Sequence, residues 1–429
     1  MEKLLQIASQ MADQAEVFYI EEAGDSVEFS DSKLDKADTS MSAGIALRVI
    51  KNGKIGLAHT RNLLDREALV KQALQSASSG MEVGFSFPKT TNVPSLNTYD
   101  PSLEKLGKDQ LVGIGKDLIA YVNSKTKGQF NLNYWYTQSK GGVMNSAGTD
   151  LSAKSSDFVV FAQLIFPGTG SGLYRYRMDK ALSEISRSEI DEMIELFKIS
   201  ETEIVPSTKP MPVIFTEQTL FALLSRFFTA AHPSYFYSKV SPLLNKFGEK
   251  IVSDKFSLWQ DPHAADMNSS NAFDTEGTPT RKYHFIENGI LKAIPTDLNY
   301  AQKLGMEPTG NGIRHSVEDM PSASAINVCM QPGDKSLQEM IAGVEEGILA
   351  YSLMGAHSGN VLNGDYSVGV SSGFMIKNGK LIGRVKDCLL SGNAYETLSN
   401  IAAIENVSHN LGSHKLSSIL FDSVNVAGK

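Results

Sequence analysis

The sequence predicts an α+β protein of several domains, in which hairpin-rich, largely antiparallel sheets pack against helices. Three segments of one design support this: Ile50–Ile55, Ile286–Leu291 and Ile376–Leu381 each place Asn-Gly between apolar runs. Asn-Gly is the strongest short hairpin signal, because both turn residues must accept positive φ. Apolar residues at helical spacing along Arg61–Ser79 and Glu217–Ala231 predict helices that cover these sheets.

Length and composition limit the classes of function. The 429 residues are too many for one compact core, and a formal charge of −8 argues against a nucleic-acid surface. No stretch approaches the roughly 18 apolar residues of a membrane span, and Met1–Ala15 predicts an amphipathic helix instead of a secretory signal. The two cysteines, Cys329 and Cys388, lie far apart, which indicates no disulfide framework and favours a cytoplasmic location.

The chain divides into four predicted regions. Pro88, Pro94 and Pro101 fall in a stretch with little periodicity, which is typical of a linker. Turns are expected at Gly141-Gly142 and at Ser146–Gly148. The regions are an N-terminal α/β domain at 1–82, the linker at 83–103, a middle α+β domain at 104–205 and a C-terminal β-rich domain at 206–429.

The residues that carry most enzyme chemistry show no recognisable site. None of the eight histidines is followed by Glu, and only His409 and His414 lie within five residues of each other. That pair flanks Leu411-Gly412 without an adjacent carboxylate, so we interpret it as surface residues. Gly369–Gly373 has the Gly-x-Ser-x-Gly spacing, but its apolar neighbours suit a strand better than a nucleophile elbow. The sequence therefore predicts no catalytic residue, no metal ligand and no cofactor.

One block of the sequence resembles a known family. Within residues 274–312 the chain reads DTEGTPTR, FIENGILK, YAQKLGM and PTGNG, and further similar segments are Ala43–Val49, Gly364–Ser367 and Ser371–Lys380. These segments resemble the TldD/PmbA family, the so-called modulators of DNA gyrase. The resemblance implies a protein of one of two branches. TldD-like members carry a His-Glu-x-x-x-His helix that binds the catalytic metal, with a Cys ligand near the C-terminus, and PmbA-like members, also called TldE, lack both.

The resemblance also implies where the missing helix would lie. A gap-free register puts Ser225 and Ala230 in place of the two histidines and Arg226 in place of the glutamate. None of these side chains binds a divalent cation, and an arginine would repel one. The C-terminal stretch Gly412–Leu420 has no cysteine. We therefore place the chain on the PmbA side, and we expect Arg226 on the outer face of a helix rebuilt as core.

Three functions remain open. The first is a metal-free subunit that pairs with a TldD-like metalloprotease subunit, or with itself as a dimer, in an assembly that degrades or matures unfolded peptides. For it the resemblance suggests a groove in which peptide adds to a sheet edge, near Glu276, Thr309 and Asn311; turns that need positive φ explain the same residues equally well. The second is a non-enzymatic regulator that binds gyrase or another protein. The third is a stand-alone homodimeric peptidase with an unrecognised site.

Overall fold

The computed structural model describes residues 1–428, and their first half builds one six-stranded antiparallel sheet in the order β3-β2-β1-β4-β5-β6. The strands are β1 (Gln14–Ser30), β2 (Lys33–Lys51), β3 (Lys54–Thr60), β4 (Gln129–Asn145), β5 (Asp150–Ile165) and β6 (Gly172–Asp179). The helices are α1 (Glu2–Met11), α2 (Arg66–Ser78), α3 (Lys108–Lys125) and α4 (Arg187–Ile199), with a short 3₁₀ helix at Pro101–Lys105.

Strand β1 joins the two regions that the sequence separates. It pairs with β2 on one side and with β4 on the other, so strands from residues 1–82 and 104–205 share one sheet. Helices α1 and α2 pack on the sheet in one apolar cluster, and α3 and α4 pack in another that continues into the second half of the chain. The domain limits themselves stay a prediction. Part of the 83–103 stretch is anchored, because Phe87 is buried.

The second half is richer in short strands and contains an eight-stranded sheet, a second six-stranded sheet and a two-stranded one. The strands are β7 (Glu203–Ile204), β8 (Lys209–Phe215), β9 (Leu258–Gln260), β10 (Tyr283–Glu287), β11 (Ile290–Leu291), β12 (Gly312–Ile313), β13 (Ser322–Ala323), β14 (Val328–Met330), β15 (Glu346–Met354), β16 (Asp365–Lys377), β17 (Lys380–Val385), β18 (Cys388–Asn393), β19 (Ile401–Ile404), β20 (His409–Asn410), β21 (His414–Leu416) and β22 (Ile419–Gly428). The helices are α5 (Phe221–Ala231), α6 (Pro233–Tyr237), α7 (Leu298–Leu304), α8 (Leu337–Ala342) and α9 (Ala394–Ser399).

The sheets of this half are mainly antiparallel, with parallel pairs at β8–β15, β7–β17 and β14–β21. In the larger sheet β15 pairs with both β8 and β16, so β15, β8, β22, β18 and β16 form a closed ring. The predicted α+β, hairpin-rich fold class is confirmed. No helix within residues 1–428 is both long and apolar enough to cross a bilayer.

Helix α5 lies at the centre of the C-terminal core. Leu223, Leu224 and Phe227 pack with residues from β8 and β10, and the Phe227 and Phe285 rings meet edge to face at 6.3 Å. The sequence predicts this helix from Glu217, but it begins at Phe221. A turn precedes it, because both the backbone N–H and the hydroxyl of Thr219 donate to the carbonyl of Thr216.

The predicted turn at Gly141-Gly142 is wrong, because both glycines lie inside β4. A Cβ on Gly142 would come within 2.4 Å of the Leu151 carbonyl oxygen and 2.8 Å of the Tyr19 hydroxyl. The glycines therefore permit close strand approach instead of chain reversal. The second predicted turn is confirmed: Ser146–Gly148 connects β4 to β5, with Gly148 at φ +104°.

The three Asn-Gly hairpins are confirmed, and they differ in how much space surrounds the glycine. Gly53 and Gly289 have φ of +73° and +78°. A Cβ on Gly53 would meet nothing within 4 Å, whereas one on Gly289 would lie 2.5 Å from the Val252 carbonyl oxygen.

We expect Gly53→Ala to lower the free energy of unfolding by about 1–2 kcal/mol, the cost of a left-handed alanine. In Gly289→Ala the new Cβ also overlaps with the Val252 carbonyl oxygen. We therefore expect the free energy of unfolding to fall by about 1–3 kcal/mol more than in Gly53→Ala. Urea unfolding of both variants measures the difference. Equal losses would show that the second hairpin relaxes away from Val252 without cost.

Candidate functional site

The resemblance assigns Ser225, Arg226 and Ala230 to the positions of a metal helix, and their side chains have different surroundings. Ala230 is fully buried in the C-terminal core, and Arg226 is buried as well. Only Ser225 borders open space, a cleft of about 460 Å³ along α5. The residues that line this cleft are Phe221, Ser225, Phe228, Thr229, His232, Ser234 and Tyr235. Side chains at 225 and 230 therefore do not converge on one point.

Arg226 is an internal anchor, which corrects the expectation that it lies outside. Its Nε donates to the Asp365 carbonyl at 3.2 Å, and its Nη2 donates to the Ser358 carbonyl at 2.8 Å. Its Nη1 donates to the carbonyls of Ala222 at 2.7 Å and Ala356 at 2.5 Å. No carboxylate within residues 1–428 forms an ion pair with it, and burial lowers its pKa. The guanidinium thus ties α5 to the loop that precedes β16.

The residues predicted near a peptide groove are also internal. Thr309 exchanges hydrogen bonds with the backbone of Thr296, its hydroxyl accepting at 2.7 Å and donating at 3.1 Å. The Asn311 amide donates to Gln260 Oε1 at 2.8 Å and accepts from the Tyr283 hydroxyl at 2.9 Å. Both side chains are buried. The two residues hold loops together, and their place near a peptide groove stays a prediction.

Glu276, the third of these residues, belongs to a buried ion cluster. Arg48 on β2 donates to Glu16 Oε2 at 2.7 Å and to Glu276 Oε1 at 2.9 Å, and Arg314 donates to Glu16 Oε1 at 2.6 Å. The backbone N–H of Leu298 donates to the other oxygen of Glu276. Burial raises the pKa of Glu276 and lowers the pKa of Arg314 to about 10. The cluster therefore fixes the 274–312 block against the N-terminal sheet.

A second polar cluster was missed at the sequence level. Glu217 follows β8, Glu405 follows β19 and His409 begins β20, and one ligand atom from each lies within 4.8 Å of the others. His409 Nε2 lies 3.1 Å from Glu405 Oε2, so the expectation that His409 has no carboxylate nearby is wrong. Ser418 donates its backbone N–H to Glu405 and its hydroxyl to Glu217. The hydrogen bond to Glu405 raises the pKa of His409.

This cluster borders a cleft with a volume of about 1040 Å³. Glu217 and His409 line it, facing Arg175 and Arg177 of β6. Residues of helices α4 and α8 and Tyr351 of β15 also line it. The cleft thus combines apolar walls with groups of both charges.

Comparison with known proteins identifies the family. The family model described as PmbA/TldA metallopeptidase C-terminal domain matches residues 208–428, just over half of the chain. The model described as PmbA/TldA metallopeptidase domain 1 matches residues 15–77. The chain belongs to the PmbA/TldD family. The resemblance inferred from the 274–312 block is confirmed.

Relatives of this PmbA/TldD family member carry metalloprotease names. A protein named metalloprotease from Methanothermobacter thermautotrophicus is 28% identical over 401 residues, which cover 88% of this chain and 85% of the relative. A metalloprotease PmbA homolog from Haemophilus influenzae is 30% identical over 223 residues, covering 52% of this chain and 47% of the relative.

Solved structures show the same fold. TldE from Thermococcus kodakarensis superimposes with a TM-score of 0.92 at 24% identity, covering 100% of both chains. A putative modulator of DNA gyrase from Bacteroides thetaiotaomicron gives a TM-score of 0.86 at 25% identity, covering 100% of this chain and 99% of the other. The PmbA/TldD architecture therefore extends over the whole chain.

Proposed function

We propose that the chain is the PmbA/TldE-like subunit of a two-component metalloprotease assembly, and that it does not supply the family's catalytic metal helix. One observation carries the proposal. At the position that the gap-free register assigns to the motif's glutamate stands Arg226, fully buried and bonded to four backbone carbonyls. The sequence contains no histidine followed by glutamate, so no other helix supplies the motif.

The physical chemistry of α5 supports this assignment. Arg226 cannot serve as the carboxylate that the motif requires, its positive charge disfavours a nearby divalent cation, and Ala230 offers no ligand atom. Apolar packing and the hydrogen bonds of Arg226 hold the helix in position, so the helix needs no metal for its stability. Its contribution is thus shape and support.

Surface features beside α5 favour a protein partner. Phe221, Tyr237 and Val240 are all about half exposed, and they lie in or next to the two short helices that border the 460 Å³ cleft. Several exposed apolar side chains on neighbouring elements are typical of surfaces that bind another chain. We infer that a TldD-like subunit covers this face, and that the assembly acts on unfolded peptide.

The test is reconstitution. We expect the purified chain to leave an unfolded casein probe uncut, and we expect a TldD-like subunit from the same organism to co-elute with it and cleave the probe. A metal chelator should abolish that cleavage, since the metal is bound by the partner's helix. The TldD-like subunit alone, and a mixture in which its motif histidines are replaced, serve as controls. Chelator-sensitive cleavage by the isolated chain would overturn the proposal, and so would failure of the two chains to associate.

A further inference from the structure

We propose that Glu217, Glu405 and His409 form a divalent-cation site of this chain, of the kind that binds Zn²⁺. Their ligand atoms already lie within 4.8 Å of one another, and His409 Nε2 is 3.1 Å from Glu405 Oε2. Ligands about 2.0–2.2 Å from a tetrahedral zinc are separated from each other by roughly 3.3–3.6 Å. Small side-chain rotations therefore bring the three donors to a common ion.

The state of Glu405 points independently to a ligand. The residue is only 5% exposed, and its Oε2 accepts from His409 and from the Ser418 backbone. Its second oxygen, Oε1, accepts no hydrogen bond from any group within residues 1–428 and keeps some contact with solvent. Buried charges are normally paired or bound to a cation, and here His409 pairs with only one of the two carboxylate oxygens. The open oxygen of Glu405 lies beside an imidazole and a second carboxylate, so it is available to a cation.

The charges around the cluster leave room for a cation. Two carboxylates face one imidazole, and no Lys or Arg of the described chain forms an ion pair with Glu217 or Glu405. The guanidinium of Arg175 lines the same cleft and interacts with the charge of Glu217, but its closest contacts are with other groups. It contacts Glu192 at 3.6 Å and the Tyr174 carbonyl at 3.3 Å, and it lies 5.7 Å from the ring centroid of Tyr351.

The donor set indicates the class of ion. Imidazole suits Zn²⁺ and its first-row neighbours, whereas Mg²⁺ takes oxygen ligands and keeps several waters. Three protein ligands leave a fourth position, which faces the 1040 Å³ cleft because Glu217 and His409 line it. Ser418 orients both carboxylates through its backbone and its hydroxyl, as outer-shell groups do in metal sites.

This inference goes beyond the proposed function and replaces the sequence-based expectation of no metal ligand. The cluster uses none of Ser225, Arg226 and Ala230. Its test needs only the isolated chain, so its failure would leave the reconstitution result untouched.

The experiment is a zinc titration of the full chain after chelator treatment and desalting, followed by calorimetry and by thermal unfolding. We expect one Zn²⁺ per chain, a higher unfolding temperature with Zn²⁺, and no displacement by Mg²⁺. Glu217→Gln and His409→Gln should each weaken binding at least about 10-fold. Glu217→Gln retains an acceptor for the Ser418 hydroxyl, so the fold should persist, which circular dichroism checks.

His357→Gln is the matched control, because this exposed histidine lies outside the cluster and its loss should leave zinc binding unchanged. Absence of zinc binding by the parent chain would overturn the proposal. So would zinc binding that survives both Glu217→Gln and His409→Gln, since the cluster would then be an ion pair only.

Discussion

Arg48→Ala is expected to lower the free energy of unfolding by about 3–5 kcal/mol, because it leaves buried carboxylates without their cation. Arg48 binds Glu16 through two N–H groups, at 2.9 and 2.7 Å, and Glu276 through a third at 2.9 Å. In the variant Glu16 keeps Arg314, but Glu276 keeps only the Leu298 backbone N–H. Urea unfolding followed by circular dichroism measures the loss.

Arg61→Ala is the matched control for this variant. Its side chain is 70% exposed and lies 3.5 Å from Glu318, so its removal should cost about 1 kcal/mol or less. The loss of stability in Arg48→Lys should lie between those of the other two variants, because lysine keeps the charge and loses the paired N–H geometry. If Arg48→Ala and Arg61→Ala cost the same, the buried cluster does not stabilise the contact between the N-terminal sheet and the 274–312 block.

The parts of this fold that could be predicted from sequence are those with local causes. Each Asn-Gly hairpin depends on two adjacent residues that accept positive φ, and all three are present at the predicted positions. The pairing of β1 with β4 could not be predicted in the same way, because it joins Glu16 to Asn145 across a long intervening segment. The wrong prediction of a turn at Gly141-Gly142 has the same cause. The residues that make glycine necessary there, Tyr19 and Leu151, lie on neighbouring strands and come close only in the folded sheet.

The site residues show a similar division. Arg226 lies three residues after Leu223 and four before Ala230, so helical spacing alone puts it on the buried face. Its charge predicted an exposed side chain. The carbonyl groups whose hydrogen bonds offset the cost of burying that charge come from a loop distant in sequence. In the second cluster the four-residue spacing of Glu405 and His409 was present in the sequence. Only the fold brings Glu217 to them.

Arg226→Glu is expected to lower the free energy of unfolding by more than about 4 kcal/mol. The carboxylate would be buried against the carbonyl oxygens of Ala222, Ala356 and Ser358, which offer it no donor. Arg226→Met removes the charge and keeps an apolar side chain of similar length, so it should cost about 2–3 kcal/mol from carbonyls left unpaired. Thr229→Ala, on the cleft face of the same helix, should change stability by less than about 0.5 kcal/mol.

Two measurements distinguish a specific role of Arg226 from a destabilisation that any substitution in α5 would cause. Urea unfolding should rank the stabilities as parent, then Arg226→Met, then Arg226→Glu, with Thr229→Ala equal to the parent. Limited proteolysis should cut Arg226→Met faster within residues 356–365, because Arg226 holds that loop through three of its carbonyls. A glutamate tolerated at 226 would mean that this position still accepts the residue of a metal helix. The assignment of the chain to the subunit without that helix would then lose its main structural support.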